Sequence, residues 1–177
     1  MGSELDFGVV FGMGECTEFH IDGVYLEFGF GSFPEMRVGD CVPLQKLCIW
    51  QQNINRSLEG QIDLLQSLKA RNYDIVTIQE PHIDFAGRTR ANPHWSVIYP
   101  KQHLINPKKT RSVTLVNHNI STNNWDAINT ASYDITGVRM HGTFGLLCIL
   151  NVYNDCGNNG SIEVMERVMK ERGGGED

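Results

Sequence analysis

The stretch that decides the fold begins with Leu47-Cys48-Ile49-Trp50-Gln51-Gln52-Asn53 and ends with Asp74-Ile75-Val76-Thr77-Ile78-Gln79-Glu80-Pro81. Both segments are short, β-prone apolar runs that end in polar residues, a pattern typical of buried strands. Between them, Ser57 is a suitable helix N-cap, and the helix predicted to follow it ends near Asn72. Its apolar face, through about Ala70, is formed by Leu58, Ile62, Leu65 and Leu68. Strand, helix and strand in this order predict a βαβ unit with a right-handed crossover.

The pattern continues on the C-terminal side with further strands separated by loops rich in Asn, Pro, Thr and Gly. Strands are predicted at His94–Tyr99, Ser112–Asn117, Ile135–Met140 and Leu146–Tyr153. A helix capped by Ser161 is predicted next, with an apolar face of Ile162, Met165, Val168 and Met169 and an end at Gly173-Gly174-Gly175. Together these elements indicate an α/β protein with a mixed sheet.

Residues 1–45 differ from the remainder in composition. They are rich in Gly and carry eight acidic residues against the single base Arg37, a net charge of −7, whereas the rest of the chain has a net charge of +1. They show no sustained helical or strand periodicity. We therefore predict a poorly ordered or loosely strand-forming extension with one short strand at Val24–Phe28, followed by a domain over residues 46–177.

Length and composition limit the class of protein. The chain has 177 residues, 41% of them hydrophobic and 20% charged, which suits one globular domain and excludes a collagen-like, coiled-coil or wholly disordered chain. No apolar run is long enough to cross a membrane, and the acidic start lacks a secretory signal, so an intracellular protein with no membrane partner is predicted. The five cysteines include no C-x-x-C pair, so they are predicted to be reduced packing residues rather than disulfides or zinc ligands.

A basic stretch lies inside this acidic chain. Residues 85–125 contain no Asp or Glu, and their basic residues are Arg88, Arg90, Lys101, Lys108, Lys109 and Arg111. Aromatic residues, among them Trp95 and Tyr99, lie between these bases. Cationic loops with aromatic residues are typical of surfaces that bind a phosphate backbone. An ordinary solvated loop is the alternative.

The ends of the two predicted parallel strands are the candidate site. Parallel strands deliver their carboxyl ends to the same edge of a sheet, so Asn53 and Glu80 should lie close together. Mg²⁺ prefers oxygen ligands, takes one or two carboxylates from a protein and keeps several waters. The pair could therefore begin a magnesium site. A solvated loop carboxylate is the alternative reading of Glu80.

In order and spacing, three segments resemble the first motifs of the endonuclease/exonuclease/phosphatase superfamily, and most closely the apurinic-endonuclease-like domain of non-LTR retrotransposons. They are Ile49-Trp50-Gln51-Gln52-Asn53-Ile54-Asn55, Asp74 to Pro81, and Ile149-Leu150-Asn151-Val152-Tyr153-Asn154. Arg111-Ser112-Val113-Thr114-Leu115-Val116-Asn117 resembles the central strand of that family, so the likeness covers about residues 46–172. It implies a mixed-sheet α/β sandwich of the DNase I-like type, of which residues 46–177 would be the N-terminal half.

The resemblance also implies roles for single residues. Glu80 would bind Mg²⁺ or Mn²⁺, Asn53 would support the metal and the phosphate, and Tyr153 would point its phenol at the scissile phosphate of DNA. Asn154 is a tentative phosphate contact, because the family usually places its Asn a few positions further on. Tyr153 could instead be an ordinary half-buried strand tyrosine. The basic residues expected near the DNA groove are Arg88, Arg90, Lys108, Lys109 and Arg111.

The later motifs of that family, Gly-Asp-x-Asn and Ser-Asp-His, do not occur in this sequence. We therefore expect an incomplete fold with unpaired sheet edges that favour association, weak metal binding and no substantial nuclease turnover by this chain. Five of the six histidines of the chain are expected to be loop or surface imidazoles, namely His82, His94, His103, His118 and His141. Two alternatives remain open, a non-catalytic nucleic-acid-binding module and a phosphatase or phosphodiesterase of the same superfamily, against which the basic loop argues mildly.

Overall fold

The structure of the protein is a computed structural model that describes residues 6–11, 19–21, 24–28, 45–68, 73–142, 145–154 and 160–173. The described residues form ten strands and two α-helices, together with short 3-10 turns. The strands are β1 (Asp6–Phe11), β2 (Phe19–Ile21), β3 (Val24–Phe28), β4 (Gln45–Asn53), β5 (Ile75–Gln79), β6 (Trp95–Ile98), β7 (Ser112–Asn117), β8 (Trp125–Ala127), β9 (Ile135–Gly142) and β10 (Gly145–Val152). The helices are α1 (Leu58–Ser67) and α2 (Gly160–Gly173).

The strands form two sheets. One has the order β2-β3-β4-β5-β7-β6, and the other has the order β1-β10-β9-β8. In the first sheet, β3, β4 and β5 run parallel, while β7 is antiparallel to both β5 and β6. The predicted βαβ unit and the predicted mixed sheet are therefore confirmed.

The two sheets pack face to face, and one helix covers each outer face. Between the sheets lie apolar side chains of both, namely Ile49, Ile75, Val116, Val138, Met140, Leu147 and Ile149. Helix α1 packs against the six-stranded sheet, with Leu64 and Leu65 on Val76, Ile78 and Leu115. Helix α2 packs through Met165 on Cys148, Leu150 and Val152 of the other sheet. The expected α/β sandwich is confirmed, and Cys148 is a buried packing residue as predicted.

Three strands belong to the segment before residue 46. The predicted strand Val24–Phe28 is present as β3, which pairs with β4, and β1 pairs in parallel with β10. The segment therefore supplies a strand to each sheet. The separate-domain boundary near residue 45 stays a prediction, and most of residues 1–45 lie outside the described ranges, as does Asn72.

Helix α1 presents a different face from the one predicted. Leu58 is exposed and Ile62 is half-buried, whereas Gln61, Leu64, Leu65 and the C-cap residue Leu68 are buried. The reason is Gln61, whose amide donates to Thr89 Oγ1 at 2.7 Å and accepts from the His82 N–H at 2.9 Å. Because its amide finds these partners, a polar side chain can occupy the inward position. The predicted N-cap is correct, since Ser57 Oγ accepts from the Gly60 N–H at 3.0 Å.

Two further predictions are wrong in detail. Ser161 is not the cap of α2 but lies inside the helix, which begins at Gly160, and its buried hydroxyl points to Asp134 Oδ2 at 3.4 Å. His103 is not a surface imidazole, because its ring is buried, stacks on Tyr99 at 4.0 Å and contacts Thr110 Oγ1 at 2.8 Å. Neither described helix is long and apolar enough to cross a membrane.

Candidate functional site

The ends of three strands meet at one edge of the sandwich. In the parallel pair of β4 and β5, Asn53 lies opposite Gln79, so Glu80 follows directly beside it. The Gln79 side chain donates from Nε2 to the carbonyl of Val152 at 2.7 Å, which joins the end of β5 to the end of β10 in the other sheet. Tyr153 follows Val152 and therefore lies at the same edge, which we call the strand-end rim.

Glu80 and Tyr153 are in direct contact at the rim. The Tyr153 hydroxyl donates to Glu80 Oε1 at 3.1 Å, and both side chains are half-buried. No described donor contacts Oε2 of Glu80. One carboxylate oxygen is therefore oriented by the phenol.

The backbone of Glu80 is held in an uncommon conformation. Its φ angle is 47°, in the left-handed region that non-glycine residues seldom adopt. Its N–H donates to the carbonyl of Arg111 at 2.8 Å, and its carbonyl accepts from the N–H of Arg56 at 2.7 Å. Neighbouring segments on both sides thus fix this conformation, as is typical of strained residues at functional sites.

Asn53 begins a tight turn that leads to α1. Its Oδ1 accepts from the Asn55 N–H at 2.8 Å, and Asn55 and Arg56 both have positive φ angles, of 47° and 58°. The Asn53 side chain is exposed, and no described acceptor engages its amide NH₂ group. That group is a fixed hydrogen-bond donor beside Glu80, which suits a phosphate oxygen better than a metal ion.

The ion pair of Arg111 and Asp134 contacts Tyr153. Arg111 donates from Nε to Asp134 Oδ1 at 2.8 Å and from Nη2 to Oδ2 at 3.0 Å. The Arg111 guanidinium carbon lies 4.8 Å from the centre of the Tyr153 ring, and the Tyr153 N–H donates to the carbonyl of Asp134 at 2.8 Å. Asp134 therefore holds the main chain of Tyr153, while Arg111 covers its ring.

A buried polar network lies between the sheets below the rim. The Asn151 amide donates to the carbonyls of Ile78 at 3.1 Å and Val113 at 2.9 Å, so β10 is bonded to β5 and β7 across the sandwich. Ser112 Oγ donates to the Asn151 carbonyl at 3.0 Å and contacts Thr136 Oγ1 at 2.8 Å. These bonds join the two sheets below the rim, and Asn151 Oδ1 is itself buried without a hydrogen-bond partner among the described residues. The sequence signal for this network was the set of polar residues at alternate positions of otherwise apolar strands, and it was missed.

The donor atoms at the rim suit a hard cation. Asn154 is half-buried, and its Oδ1 is buried without a hydrogen-bond partner among the described residues. Trp95 Nε1, Trp125 Nε1, Arg139 Nε and Asn151 Oδ1 are in the same state, so this feature does not by itself mark a ligand site. Carboxylate oxygens such as those of Glu80 and amide oxygens such as that of Asn154 are of the type that Mg²⁺ and Mn²⁺ accept. No three His, Cys, Asp or Glu side chains of the described residues are grouped to hold a metal.

An Asp–His pair exists, but it is remote from the rim. His141 Nε2 lies 2.7 Å from Asp126 Oδ2 on β9 and β8. At the rim end of β9, Ile135 pairs with Val152, and His141 is six residues further along the strand. At about 3.3 Å per residue the separation is roughly 20 Å. This pair cannot act on a ligand at Glu80.

The predicted basic residues occupy different environments. Arg88 and Arg90 are exposed, and Lys109 lies 5.8 Å from the Tyr133 ring centre. Lys108 donates from Nζ to the carbonyls of Ile83 and Asp84, at 2.7 and 2.9 Å, and Arg111 is paired with Asp134. Three of the five, Lys108, Lys109 and Arg111, therefore have partners within the protein, and DNA binding by any of the five stays a prediction.

Comparison with protein-family models gives no match, and neither does comparison with curated protein sequences. Among solved structures, the chain is similar to the endonuclease domain of TRAS1, a telomere-specific non-LTR retrotransposon, with a TM-score of 0.53 and 16% sequence identity. The fold is DNase I-like. The match covers 70% of this chain and 52% of that domain, so the chain spans about half the length of its structural neighbour. At this identity the likeness shows the fold and not the activity.

Proposed function

We propose that this chain carries the metal-binding part of a Mg²⁺-dependent DNA endonuclease site, with Glu80 as the metal ligand. The observation that carries the proposal is the contact of Tyr153 with Glu80 at a rim where three strands end. The fold of the retrotransposon endonuclease domain supports the same reaction class. Phosphodiester hydrolysis is the reaction, and DNA is the proposed substrate.

Each side chain at the rim has a different role in this proposal. When bound, a divalent cation stabilises the charge that develops on the phosphate oxygens. Glu80 Oε2 would hold it, because Oε1 already accepts from Tyr153. The Asn53 NH₂ group would donate to a phosphate oxygen, and the Tyr153 hydroxyl would exchange its bond with Glu80 for one with the same phosphate. Fixed donors of this kind stabilise a transition state without reorganisation.

We expect little turnover by the 177-residue chain on its own. Hydrolysis needs a group that positions the attacking water and a group that assists the leaving oxygen, and each typically contributes about 10²–10⁴-fold. Of the carboxylates described at or beside the rim, Asp134 is neutralised by Arg111, which leaves Glu80. Weak cation binding with little nicking is therefore the expected behaviour.

The proposal is tested by Mn²⁺ titration of the full chain, followed by the electron paramagnetic resonance of free Mn²⁺. Glu80→Gln should weaken binding by about tenfold or more, because one ligand charge is lost. The matched control is Glu163→Gln, which removes an exposed carboxylate of α2 and should leave binding unchanged. Equal affinity of wild type and Glu80→Gln would overturn the metal assignment. Robust Mg²⁺-dependent plasmid nicking that is lost in Glu80→Ala would confirm the site and refute the expectation of little turnover.

A second candidate is a non-catalytic nucleic-acid-binding module. The exposed Arg88 and Arg90, in a stretch without acidic residues, favour it. Such a module would bind DNA equally well with Mg²⁺ and with EDTA, and Glu80→Gln would have no effect on that binding. DNA affinity that rises with Mg²⁺ in wild type, but not in Glu80→Gln, would favour the endonuclease site.

A further inference from the structure

A short hairpin follows Glu80 and is closed by its own backbone. Ile83 and Thr89 form an antiparallel bridge, and the Asp84 N–H donates to the carbonyl of Arg88 at 2.9 Å. Asp84 Oδ1 accepts from the Arg88 N–H at 2.8 Å. Gly87, with a φ angle of 75°, completes the turn. The hairpin over residues 83–89 is therefore fixed locally.

Side chains of neighbouring segments also contact this hairpin. Lys108 Nζ donates to the carbonyls of Ile83 and Asp84, and the Thr89 N–H donates to the Tyr99 hydroxyl at 2.9 Å. A Cβ atom at Gly87 would lie 2.9 Å from Pro107 Cγ, so the hairpin sits tightly on the segment of residues 101–109. Its conformation is thus set before any ligand arrives.

This rigid hairpin displays an apolar tip. Phe85 is 100% exposed, and on the adjoining segment Leu104 and Ile105 are 88% and 78% exposed. They are three of the four exposed large hydrophobic residues that the structure describes. Exposed apolar side chains on two segments that contact each other favour a binding surface there, since contiguous apolar patches mark interaction sites.

The surface adjoins the strand-end rim. The hairpin leaves the carboxyl end of β5, and the 101–109 segment leads to Arg111 and the start of β7, where Ser112 pairs with Gln79. Both therefore rise from the edge that holds Glu80. Arg88, Lys101 and Lys109 are exposed on these two segments, whose only acidic residue is Asp84, and residues 85–125 contain none. An anionic partner with flat apolar faces fits this chemistry, and nucleic acid has both.

We propose that Phe85 stacks on a base of the nucleic acid that the rim binds, with the surrounding basic side chains on its phosphates. The inference rests on the proposed function for the identity of the ligand. Because the main chain that carries Phe85 is already fixed, only the side chain of Phe85 has to be ordered on binding. Loss of one such stack should weaken binding by about 5- to 100-fold.

The experiment measures binding of the full chain to a duplex with one unpaired 2-aminopurine, in EDTA, by anisotropy and by quenching of that base. Phe85→Ala should lower the affinity by about 5- to 100-fold and abolish the quenching. Phe85→Trp should preserve both. Phe85→Leu is the matched control, since it keeps an apolar side chain but cannot stack, and it should behave as Phe85→Ala. Because Phe85 is fully exposed, all three variants should keep the wild-type Tm.

Several results would overturn the inference. The inference fails if the wild type does not bind DNA, or if Phe85→Ala binds DNA with wild-type affinity. It also fails if Phe85→Leu binds DNA with wild-type affinity, because the contact would then be apolar packing without stacking, of the kind that a protein partner makes. Phe85-dependent binding to vesicles of phosphatidylserine and phosphatidylcholine, without binding to DNA, would point to a membrane surface instead. The measurement uses no metal, so it is separate from the Mn²⁺ titration. If Phe85→Ala leaves DNA binding unchanged while Glu80→Gln weakens Mn²⁺ binding, this inference alone fails. If Phe85→Ala weakens DNA binding while Glu80→Gln leaves Mn²⁺ binding unchanged, the metal site alone fails.

Discussion

Asp134→Asn should destabilise the protein and loosen the site at the same time. The substitution removes the charge partner of Arg111, whose side chain is 24% exposed, while that of Asp134 is 18% exposed. Breaking a fully buried pair costs about 3–5 kcal/mol, and exposed pairs contribute about 0–1 kcal/mol. Because about four-fifths of each side chain is removed from solvent, we expect a loss of roughly 2–3 kcal/mol in the free energy of unfolding.

The assay is thermal and urea unfolding of the wild type, Asp134→Asn, Arg111→Gln and the double variant. For a chain of this length, about 2–4 °C of Tm is lost per kcal/mol, so Asp134→Asn should lower the Tm by roughly 4–12 °C. The double variant should lose less than the sum of the single variants, because the two side chains are in direct contact and their effects are coupled. The same changes should weaken Mn²⁺ binding several-fold, since Arg111 covers the Tyr153 ring.

The matched control is Asp126→Asn, which breaks the exposed pair of Asp126 with His141. Those side chains are 68% and 42% exposed, so the loss should stay below about 1 kcal/mol. Strict additivity in the double variant, or an effect of Asp134→Asn no larger than that of Asp126→Asn, would refute the reasoning about this ion pair.

The remaining predictions concern stability and domain organisation. Limited proteolysis should cut first before about Leu47, and resistance of residues 1–45 equal to that of residues 47–170 would count against the boundary. Burial lowers the pKa of His103 below its ordinary value near 6.5, so stability should be lost as the pH falls below 6.5. The Tm should therefore drop less between pH 7.5 and 5.5 in His103→Gln than in the wild type. An equal drop in both would disprove the link. Gly137→Ala should lower the free energy of unfolding in urea by roughly 1–3 kcal/mol through overpacking. The reason is that the added Cβ would lie 2.7 Å from the Ile149 carbonyl oxygen. A loss below about 0.5 kcal/mol would show that the strands can shift to make room.

The parts of the fold that local patterns determine could be predicted from the sequence. Strands β5 and β7 are continuous apolar runs with clear ends, and β7 has the predicted bounds, Ser112–Asn117. The rule that parallel strands end at one edge placed Asn53 beside Glu80, and the order of the motifs placed Tyr153 there too. The metal and phosphate roles of these residues stay predictions.

Features that depend on distant partners could not be predicted. Arg111 and Asp134 are 23 residues apart, and no spacing rule joins them. The buried position of Gln61 depends on hydrogen-bond partners more than twenty residues away. The spacing of apolar residues in α1 therefore predicted the wrong buried face. The positive φ angle of Glu80 is imposed by hydrogen bonds from Arg56 and to Arg111, and glutamate itself has no preference for it. The short strand β8 has too few residues for alternation to be visible.

Anomalous scattering from Mn²⁺, in crystals of this chain with a short DNA duplex, tests the assignment of Glu80 most directly. We predict a peak about 2.1 Å from a Glu80 carboxylate oxygen, which is the hard-cation distance. We also predict that the peak disappears in Glu80→Gln, while the Asn53 amide and the Tyr153 hydroxyl contact the same phosphate. A peak that persists in Glu80→Gln, or Mn²⁺ bound only at other carboxylates while the rim holds DNA, would contradict the metal site proposed for this protein.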